Sequence, residues 1–265
     1  MQVIDTVAGF RKALDAERHD GKTVGLVPTM GALHAGHASL IDAARAACDV
    51  VAVTVFVNPL QFGPNEDLSK YPRPFDADVA LATAHGADFV FHPSVEEMYP
   101  GGVLTTVHVA EVTEGMEGAV RPGHFDGVST VVAKLFNAAG PCKAFFGEKD
   151  YQQLQVVTQM VRDLSFPIEI APCPIVRETD GLALSSRNVY LSAEDRAAAT
   201  VLHRALQAGA ADIDNAVTVI TDIVNAESRA TLDYAEAVVA DHEIRLLVAA
   251  KFGTTRLLDN MGVTS

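Results

Sequence analysis

Thiols and positive charges are both scarce in this sequence, and each shortage argues against a class of protein. The three cysteines, at positions 48, 142 and 173, are odd in number and show no CxxC spacing. We therefore interpret them as small buried apolar side chains in a reducing compartment. Lysine and arginine total 20 against 34 acidic residues, for a net charge of −14. That balance argues against a nucleic-acid surface, which needs clustered cations, but not against a small anionic substrate.

Long apolar runs are also missing. The longest, residues 50–57, is far shorter than the ~20 residues needed to cross a bilayer, so no membrane partner is expected. Met1 is followed by Asp5 rather than by a basic and then an apolar stretch, so no secretory signal is visible and we expect a cytoplasmic protein. The 265 residues, 49% hydrophobic and 20% charged, suffice for one large or two modest domains.

Hydrophobic periodicity predicts alternating strands and helices over the first two thirds of the chain. The predicted strands are residues 24–27, 50–57, 88–92, 103–109, 144–146 and 168–171, and the predicted helices are 3–17, 38–48, 76–85, 128–136 and 151–164. This alternation indicates an α/β fold with a mostly parallel, doubly wound sheet. Past Pro174 we expect helices at 192–209 and 217–230, then strands at 233–239, 245–250 and 256–259. The sequence therefore predicts a domain over residues 1–174 and a smaller α+β domain over 175–265.

The loop between the first strand of this pattern and its helix carries Gly31, His34, Gly36 and His37. A helix N-terminus offers backbone N–H groups and a positive dipole end, and a glycine allows close approach of a ligand, so the loop suits a phosphate. Two imidazoles there can donate hydrogen bonds to charge on a transferred phosphoryl group. Histidines of an ordinary surface loop remain an alternative. A zinc pair is another, although no HExxH spacing and no obvious third ligand accompany it.

Three further polar segments follow predicted strands or border the second domain. GEKD at residues 147–150 and LSSR at 184–187 combine a cation with hydrogen-bonding groups, which suits an anion, although each tetrapeptide alone is typical of a solvated turn. Gln61 and Gln153 offer neutral amides for a hydroxyl or a carboxylate, but scattered glutamines carry little signal by themselves. Residues 63–74 mix glycine, proline and charge and are expected to form a long lid-like loop.

When the sequence around these segments is included, the longer strings all resemble the same family. VPTMGALHAGH at residues 27–37 resembles the HxGH signature of the nucleotidyltransferase superfamily, and its flanks resemble the pantoate–β-alanine ligase family. The resemblance extends through FVNPLQF, YPRPF, RPGHFDGVST, FFGEKDYQQL, GLALSSRNVYLS and LLVAAKFGTTRLLDN, nearly the whole chain. It departs little: Ala35 fills the variable place of HxGH, residues 65–67 belong to a variable segment, and Arg187 stands where many relatives have lysine.

The resemblance implies an ATP-dependent ligase that joins pantoate to β-alanine through pantoyl adenylate, with Mg²⁺, in a homodimer. It implies a Rossmann-like ATP domain (1–174) and a C-terminal lid domain (175–265). His34, His37, Lys149 and Arg187 would be catalytic. Gln61 and Gln153 would bind pantoate, with Gln61 also near β-alanine, and Asp78 would be associated with the metal. The implied ATP contacts are Met30, Gly31, Ala32, Leu33, His34, Ala35, Gly36, His37, Gly147, Glu148, Lys149, Asp150, Val176, Leu184, Ser185, Ser186 and Arg187.

Two other functions stay open from the residues alone. One is an HxGH nucleotidyltransferase that activates a different acid or transfers a nucleotide to a phosphorylated acceptor. The other is a nucleotide-binding or assembly module without catalysis. A tRNA-charging role is disfavoured by the acidic charge and by the absence of an anticodon-binding extension in a chain of this length.

Overall fold

The computed structural model describes residues 1–64, 66, 68–240 and 243–264. The chain forms two compact units: Met1–Glu148 with Gln152–Pro174, and Lys149–Tyr151 with Ile175–Ser265. The second unit thus takes a three-residue segment from within the first. The lid-like loop predicted over residues 63–74 includes Asn65 and Asp67, which lie outside the described residues.

The first unit is built on a parallel sheet. Within the described ranges its strands are β1 (Gln2–Ile4), β2 (Val24–Thr29), β3 (Val50–Val55), β4 (Phe89–Phe91), β5 (Cys142–Gly147) and β6 (Ile168–Cys173), in the spatial order β1-β4-β3-β2-β5-β6. All of their pairings are parallel. The helices are α1 (Val7–His19), α2 (Ala35–Ala47), α3 (Phe75–Ala84), α4 (Val95–Met98), α5 (Met116–Val120), α6 (His124–Ala139) and α7 (Tyr151–Asp163).

Both faces of this sheet are covered, because successive side chains of its inner strands enter different cores. Leu26 packs in one core with Phe10 of α1 and Phe136 of α6. Its neighbour Val27 packs in another with Ile41 of α2. Every residue of β3 is buried, as expected for a parallel strand between two helical layers. The predicted doubly wound α/β fold is confirmed.

The strand order reverses at β2. From β2 the chain proceeds outwards to β3 and β4, and after α6 it returns to pair β5 on the other side of β2. In open parallel sheets, ligands bind outside the carboxyl ends of the strands at such a switch point. We therefore expect a site at the segments that follow Thr29 and Gly147.

Two predictions within the first unit are wrong. Residues 103–109 do not form a strand: the Val107 N–H donates to Thr130 Oγ1 of α6 at 2.9 Å instead of to a strand partner. Residues 3 and 4 were expected to begin a helix, but they belong to the edge strand β1, in which Val3 pairs with Val90. The helix begins only at Val7, after Thr6 caps it by accepting from the Gly9 N–H.

The second unit is α+β, as predicted. Its regular elements after Pro174 are α8 (Ala193–Ala198), α9 (Val201–Ala211), α10 (Ala216–Asn225) and the strands β7 (Ala230–Ala240), β8 (Glu243–Phe252) and β9 (Thr255–Thr264). The strands form an antiparallel sheet in the order β7-β8-β9. Leu206 of α9 and Ile220 of α10 pack against Leu246 and Val248 of β8.

The helix predicted over residues 192–209 is two helices in the structure. Its start is correct, since Ser192 Oγ accepts from the Asp195 N–H at 3.1 Å. It is interrupted between Ala198 and Val201, where Thr200 Oγ1 donates to the Ala197 carbonyl at 2.8 Å. A hydroxyl that bonds back to the preceding turn competes with the helical hydrogen bonds.

The three cysteines agree with the prediction of small buried apolar side chains. Cys48 and Cys173 are buried and Cys142 is half-buried; all three are free thiols, and burial raises the pKa of each. None of the helices in the described part of the chain combines the length and the apolar character of a membrane span.

Candidate active site

The loop between β2 and α2 has a constrained backbone. Gly31 has φ +85° and Ala32 has φ 51°, both in the left-handed region. A Cβ atom on Gly31 would lie 2.9 Å from Asp78 Oδ2 and 3.0 Å from Val55 Cγ1, so a side chain has no room there. Thr29 Oγ1 accepts from the Gly31 N–H at 3.1 Å and fixes the start of the turn.

Hydrogen bonds to the backbone define the tautomers of the two histidines. His34 Nδ1 accepts from the Gly36 N–H at 3.1 Å, and His37 Nδ1 accepts from the His34 N–H at 3.3 Å, so each side chain caps part of α2. A ring nitrogen that accepts carries no proton, which places the proton of each neutral ring on Nε2. The ring centroids lie 4.2 Å apart. The loop therefore presents two adjacent Nε2–H donors.

Asp78 of α3 holds the backbone of the loop between β2 and α2. Its Oδ1 accepts from the Leu33 N–H at 2.7 Å and its Oδ2 accepts from the Ala32 N–H at 2.9 Å. The side chain is only 2% exposed, and burial raises its pKa against the opposing effect of these hydrogen bonds. One carboxylate thus holds both backbone N–H groups that follow Gly31.

The association of Asp78 with a metal stays a prediction, and the hydrogen bonds give this residue a second role in holding the loop. Both of its oxygens already accept from the backbone, and the neighbouring Asp76 is exposed. Among the described residues, no three His, Cys, Asp or Glu side chains come together as a metal site. Magnesium sites use near-octahedral oxygen ligands and draw most of them from water and substrate phosphates.

Gln61 lies in the loop after β3, beside the histidine loop. Its Nε2 is 2.8 Å from Met30 Sδ, and its Oε1 accepts from Asn58 Nδ2 at 3.2 Å. Asn58 is 1% exposed, and Tyr99 Oη donates to its Oδ1 at 2.8 Å. Two residues that the sequence assigned to different substrates, Met30 and Gln61, are thus brought together, and Asn58 orients the amide of Gln61.

The main chain of Gln61 is held by two residues that sequence reasoning did not single out, His124 and Arg121. His124 Nδ1 lies 2.8 Å from the Gln61 carbonyl oxygen. Arg121 donates from Nη1 toward His124 Nε2 at 3.0 Å and binds Glu66 through Nε and Nη2, each at 2.7 Å. Burial, followed by the charge of Arg121, lowers the pKa of His124 to about 4. For Glu66, burial acts to raise the pKa, but the hydrogen bonds and charge of Arg121 outweigh it and the pKa is lowered.

The other side of the switch point contains Gly147 and Glu148, which follow the buried residues of β5. Gln153 is half-buried on the first turn of α7. Its neighbour Gln152 has a structural role, since it accepts from the Glu117 N–H and donates to the Val112 and Gly115 carbonyls, each at 2.9 Å.

The remaining predicted site residues belong to the second unit. Val176 and Leu184 are brought together by a hydrogen bond from the Leu184 N–H to the Val176 carbonyl at 3.0 Å. Ser185 Oγ accepts from the Arg187 N–H at 3.2 Å and begins a short 3₁₀ helix that contains Ser186 and Arg187. Lys149 Nζ lies 3.4 Å from Asp150 Oδ1.

The sheet order and the histidine loop at its switch point define the class of this protein: a Rossmann-like α/β protein with a glycine-containing turn and a helix N-terminus after its central strand. A family model described as pantoate-beta-alanine ligase matches residues 2–262. The chain belongs to the pantoate–β-alanine ligase family; it is a ligase, and its activity is the condensation of pantoate with β-alanine.

Individual relatives agree with this assignment. A pantothenate synthetase of Chloroflexus aurantiacus is 50% identical over 278 residues, which cover 98% of this chain and 97% of that protein. The crystal structure of pantothenate synthetase from Thermus thermophilus is 48% identical, with a TM-score of 0.95 and full coverage of both chains. The crystal structure of a Francisella tularensis pantoate-beta-alanine ligase, complexed with beta-gamma ATP and beta-alanine, is 35% identical, with a TM-score of 0.86 and coverage of 99% and 97%.

Proposed function

We propose that this ligase uses ATP to activate pantoate and forms pantothenate in two steps. In the first, a pantoate carboxylate oxygen attacks the α-phosphorus of ATP, and the bond to the bridging oxygen breaks to release pyrophosphate. In the second, the neutral amine of β-alanine attacks the acyl carbon of pantoyl adenylate. The C–N bond forms, the C–O bond to AMP breaks, and the amine loses a proton. Adenylation is needed because a free carboxylate is a poor acyl donor.

The observation that carries this proposal is the pair of Nε2–H donors on His34 and His37, aligned by backbone hydrogen bonds at the switch point. In the first step, negative charge builds on the oxygen that bridges the α- and β-phosphates. Preorganised donors stabilise that charge without reorganisation during the reaction. The N–H groups and positive dipole end of α2 act in the same direction.

The other predicted residues take complementary roles in this proposal. Residues 30–37 and 147–148 bind ATP along the carboxyl ends of β2 and β5, and the resemblance to the family assigns Lys149, Asp150, Val176 and the 184–187 segment to ATP as well. Lys149 and Arg187 neutralise phosphate charge. Gln61, held by Asn58, and Gln153 bind the pantoate hydroxyl and carboxylate, with Gln61 also near β-alanine.

Mg²⁺ enters this scheme as part of the substrate. We propose that it arrives as the counterion of the ATP triphosphate, because the described residues provide no group of three or more His, Cys, Asp or Glu side chains that could hold the ion by themselves. A cytoplasmic location and a homodimeric assembly are likewise proposed, by similarity to the family.

One assay tests the function: AMP formation with ATP, pantoate and β-alanine, with each omitted in turn. We expect pyrophosphate exchange with ATP and pantoate alone, and AMP release only when β-alanine is added. Exchange that responds to another acid but not to pantoate would indicate a different nucleotidyltransferase. ATP binding without exchange under any acid would indicate a non-catalytic module.

A further inference from the structure

The second unit contains a set of buried polar residues in its sheet. Arg245 of β8 is 7% exposed, and Asp259 and Asn260 of β9 are 3% and 1% exposed. Their neighbours Leu246, Val248 and Leu257 are apolar core residues. Buried polar and charged groups are costly unless they are fully hydrogen-bonded, so their partners indicate what they do.

These polar residues bind one another in a continuous network. Arg177 donates to both oxygens of Asp259, at 2.6 and 2.9 Å. Arg245 Nη1 donates to Asn260 Oδ1 at 3.0 Å, and the Asn260 N–H donates to Asp259 Oδ1 at 2.8 Å. The amide plane of Asn260 is therefore set by Arg245 on its acceptor side.

The donor side of the same amide reaches the three-residue segment that interrupts the first unit in sequence. Asn260 Nδ2 donates to the Lys149 carbonyl oxygen at 2.9 Å. The guanidinium carbon of Arg245 lies 4.4 Å from the centre of the Tyr151 ring, within range of a cation–π interaction. Both ends of the segment 149–151 are thus attached to β8 and β9, which accounts for its membership of the second unit.

We propose that Asn260, aligned by Arg245, is a positioning residue for Lys149. This inference rests on the proposed role of Lys149 in binding the ATP triphosphate. A lysine side chain is long and flexible, so the place of its ammonium group depends on where its main chain is fixed. The attachment also puts Lys149 in the same compact unit as Ser185, Ser186 and Arg187, so the phosphate-binding groups of that unit keep a constant arrangement.

A purely structural role is the competing explanation, and Asn260→Asp separates the two. The aspartate keeps an oxygen toward Arg245, so the network in the sheet is preserved. Its second oxygen replaces the amide donor and opposes the Lys149 carbonyl, so the attachment to Lys149 is lost. We expect pyrophosphate exchange to fall about 10- to 100-fold, the range for misplacement of a catalytic group. Attack of β-alanine on preformed pantoyl adenylate should change little.

Two measurements accompany the kinetics. Hydrogen–deuterium exchange of the peptide spanning residues 147–153 should be faster in Asn260→Asp, because that segment is released. The unfolding temperature should fall, because the new buried oxygen faces the Lys149 carbonyl without a donor. The two half-reactions, measured below that temperature, therefore decide between positioning and stability. Arg256→Gln is the matched control, because it removes an ion pair with Asp233 (Nε to Oδ2, 2.6 Å) in the same sheet. Its exchange activity should be unchanged.

Tyr151→Leu tests the attachment independently and should give the same pattern in a smaller degree, because it removes the ring beneath Arg245. Lys149→Ala, measured alongside, separates the two levels of the proposal. If Lys149→Ala loses exchange while Asn260→Asp and Tyr151→Leu keep it, the positioning role is wrong and the proposed function stands. If Lys149→Ala keeps exchange, the proposed role of Lys149 is wrong and the positioning role of Asn260 fails with it, while the exchange itself supports the proposed function. If both half-reactions slow in proportion to the decrease in unfolding temperature across the variants, the network only stabilises the fold.

Discussion

His37 has two tasks at once, because its two ring nitrogens point to different partners. Nδ1 accepts from the His34 N–H and stabilises the start of α2, whereas Nε2–H is the donor assigned to the phosphates. The two tasks are separable, since asparagine and glutamine each reproduce one nitrogen. Asparagine places an acceptor near the position of Nδ1, and glutamine places a donor near that of Nε2.

We predict that His37→Asn unfolds near the wild-type temperature but loses at least ~100-fold in kcat, the usual cost of removing one preorganised donor. His37→Gln should keep more activity and unfold at a lower temperature. Steady-state AMP formation and thermal unfolding measure the two quantities. If His37→Asn is as active as His37→Gln, the Nε2–H group has no role in the mechanism.

Asp78 acts at the same scale through the main chain of its neighbours. Its two oxygens hold the N–H groups of Ala32 and Leu33, and so determine where the histidine loop leaves β2. In Asp78→Asn the new NH₂ group faces a backbone N–H, and one of the two hydrogen bonds is lost. We predict that kcat/KM for ATP falls about 10- to 100-fold.

The dependence on Mg²⁺ distinguishes this role from metal binding. If Asp78 supports the loop, the half-saturating Mg²⁺ concentration of Asp78→Asn equals that of the wild type. If Asp78 is a ligand, the variant needs more Mg²⁺, and excess metal restores much of its activity. Titration of the rate at saturating ATP and pantoate separates these outcomes.

At the scale of an element, the start of α6 is linked to the loop that contains Gln61 by a histidine that stays neutral. His124 binds the Gln61 carbonyl and lies against Arg121, so a second positive charge there is unfavourable. Its pKa is lowered from 6.5 to about 4. Between these values the unfolded chain binds a proton that the folded chain does not, so stability rises with pH across this window.

We predict that this one group costs the folded protein up to roughly 3 kcal/mol as pH falls from about 6.5 to 4, at about 1.4 kcal/mol for each pKa unit. His124→Gln, which stays neutral, should flatten this part of the dependence of unfolding free energy on pH. His19→Gln, at an exposed position at the end of α1, is the control and should leave it unchanged. Parallel curves for the wild type and His124→Gln would contradict the assignment.

Periodicity predicted the elements whose apolar pattern is complete, and it failed where a side chain competes for the hydrogen bonds of the backbone. The buried run of β3 and the apolar face of α6 are continuous, and both elements form where the pattern predicts them. Residues 103–109 read as a strand, yet Thr130 of α6 takes a backbone N–H that a strand partner would need. Thr200 interrupts a helix in the same way. Such competition depends on the tertiary fold, and the β1 edge strand, at three residues, is too short for its period to be recognised.

The residues of the candidate site were likewise predictable only in part. Motif strings indicated the groups that would touch substrates, such as His37 and Gln61, because these stand in long recognisable segments. They did not reveal what holds those groups in place. Asn58 looked like an ordinary loop residue, because its partner Tyr99 lies 41 residues away in sequence. Arg121 and His124 looked like part of a turn, because Glu66 lies 55 residues from Arg121 and Gln61 lies 63 residues from His124. The attachment of Lys149 to Asn260, 111 residues apart, has no local signal at all.

For the whole molecule, the main electrostatic difficulty is that a protein of net charge −14 has to bind a polyanion. Overall charge acts over long distances and is screened by salt, whereas a lysine beside a phosphate acts locally. In the proposed mechanism only the first step handles the full triphosphate, since pyrophosphate has left before β-alanine attacks. Loss of a phosphate-binding cation should therefore affect the two half-reactions unequally.

We predict that Lys149→Ala lowers pyrophosphate exchange at least ~100-fold, while attack of β-alanine on preformed pantoyl adenylate slows far less. Single-turnover assays of each step provide the comparison. Lys143→Ala is the matched control, because it changes the net charge equally but lies near the start of β5, where Lys143 pairs with Glu169 at 2.7 Å. If Lys143→Ala lowers exchange as much, overall charge governs ATP binding. If Lys149→Ala slows both steps alike, Lys149 serves the adenylate rather than the departing pyrophosphate.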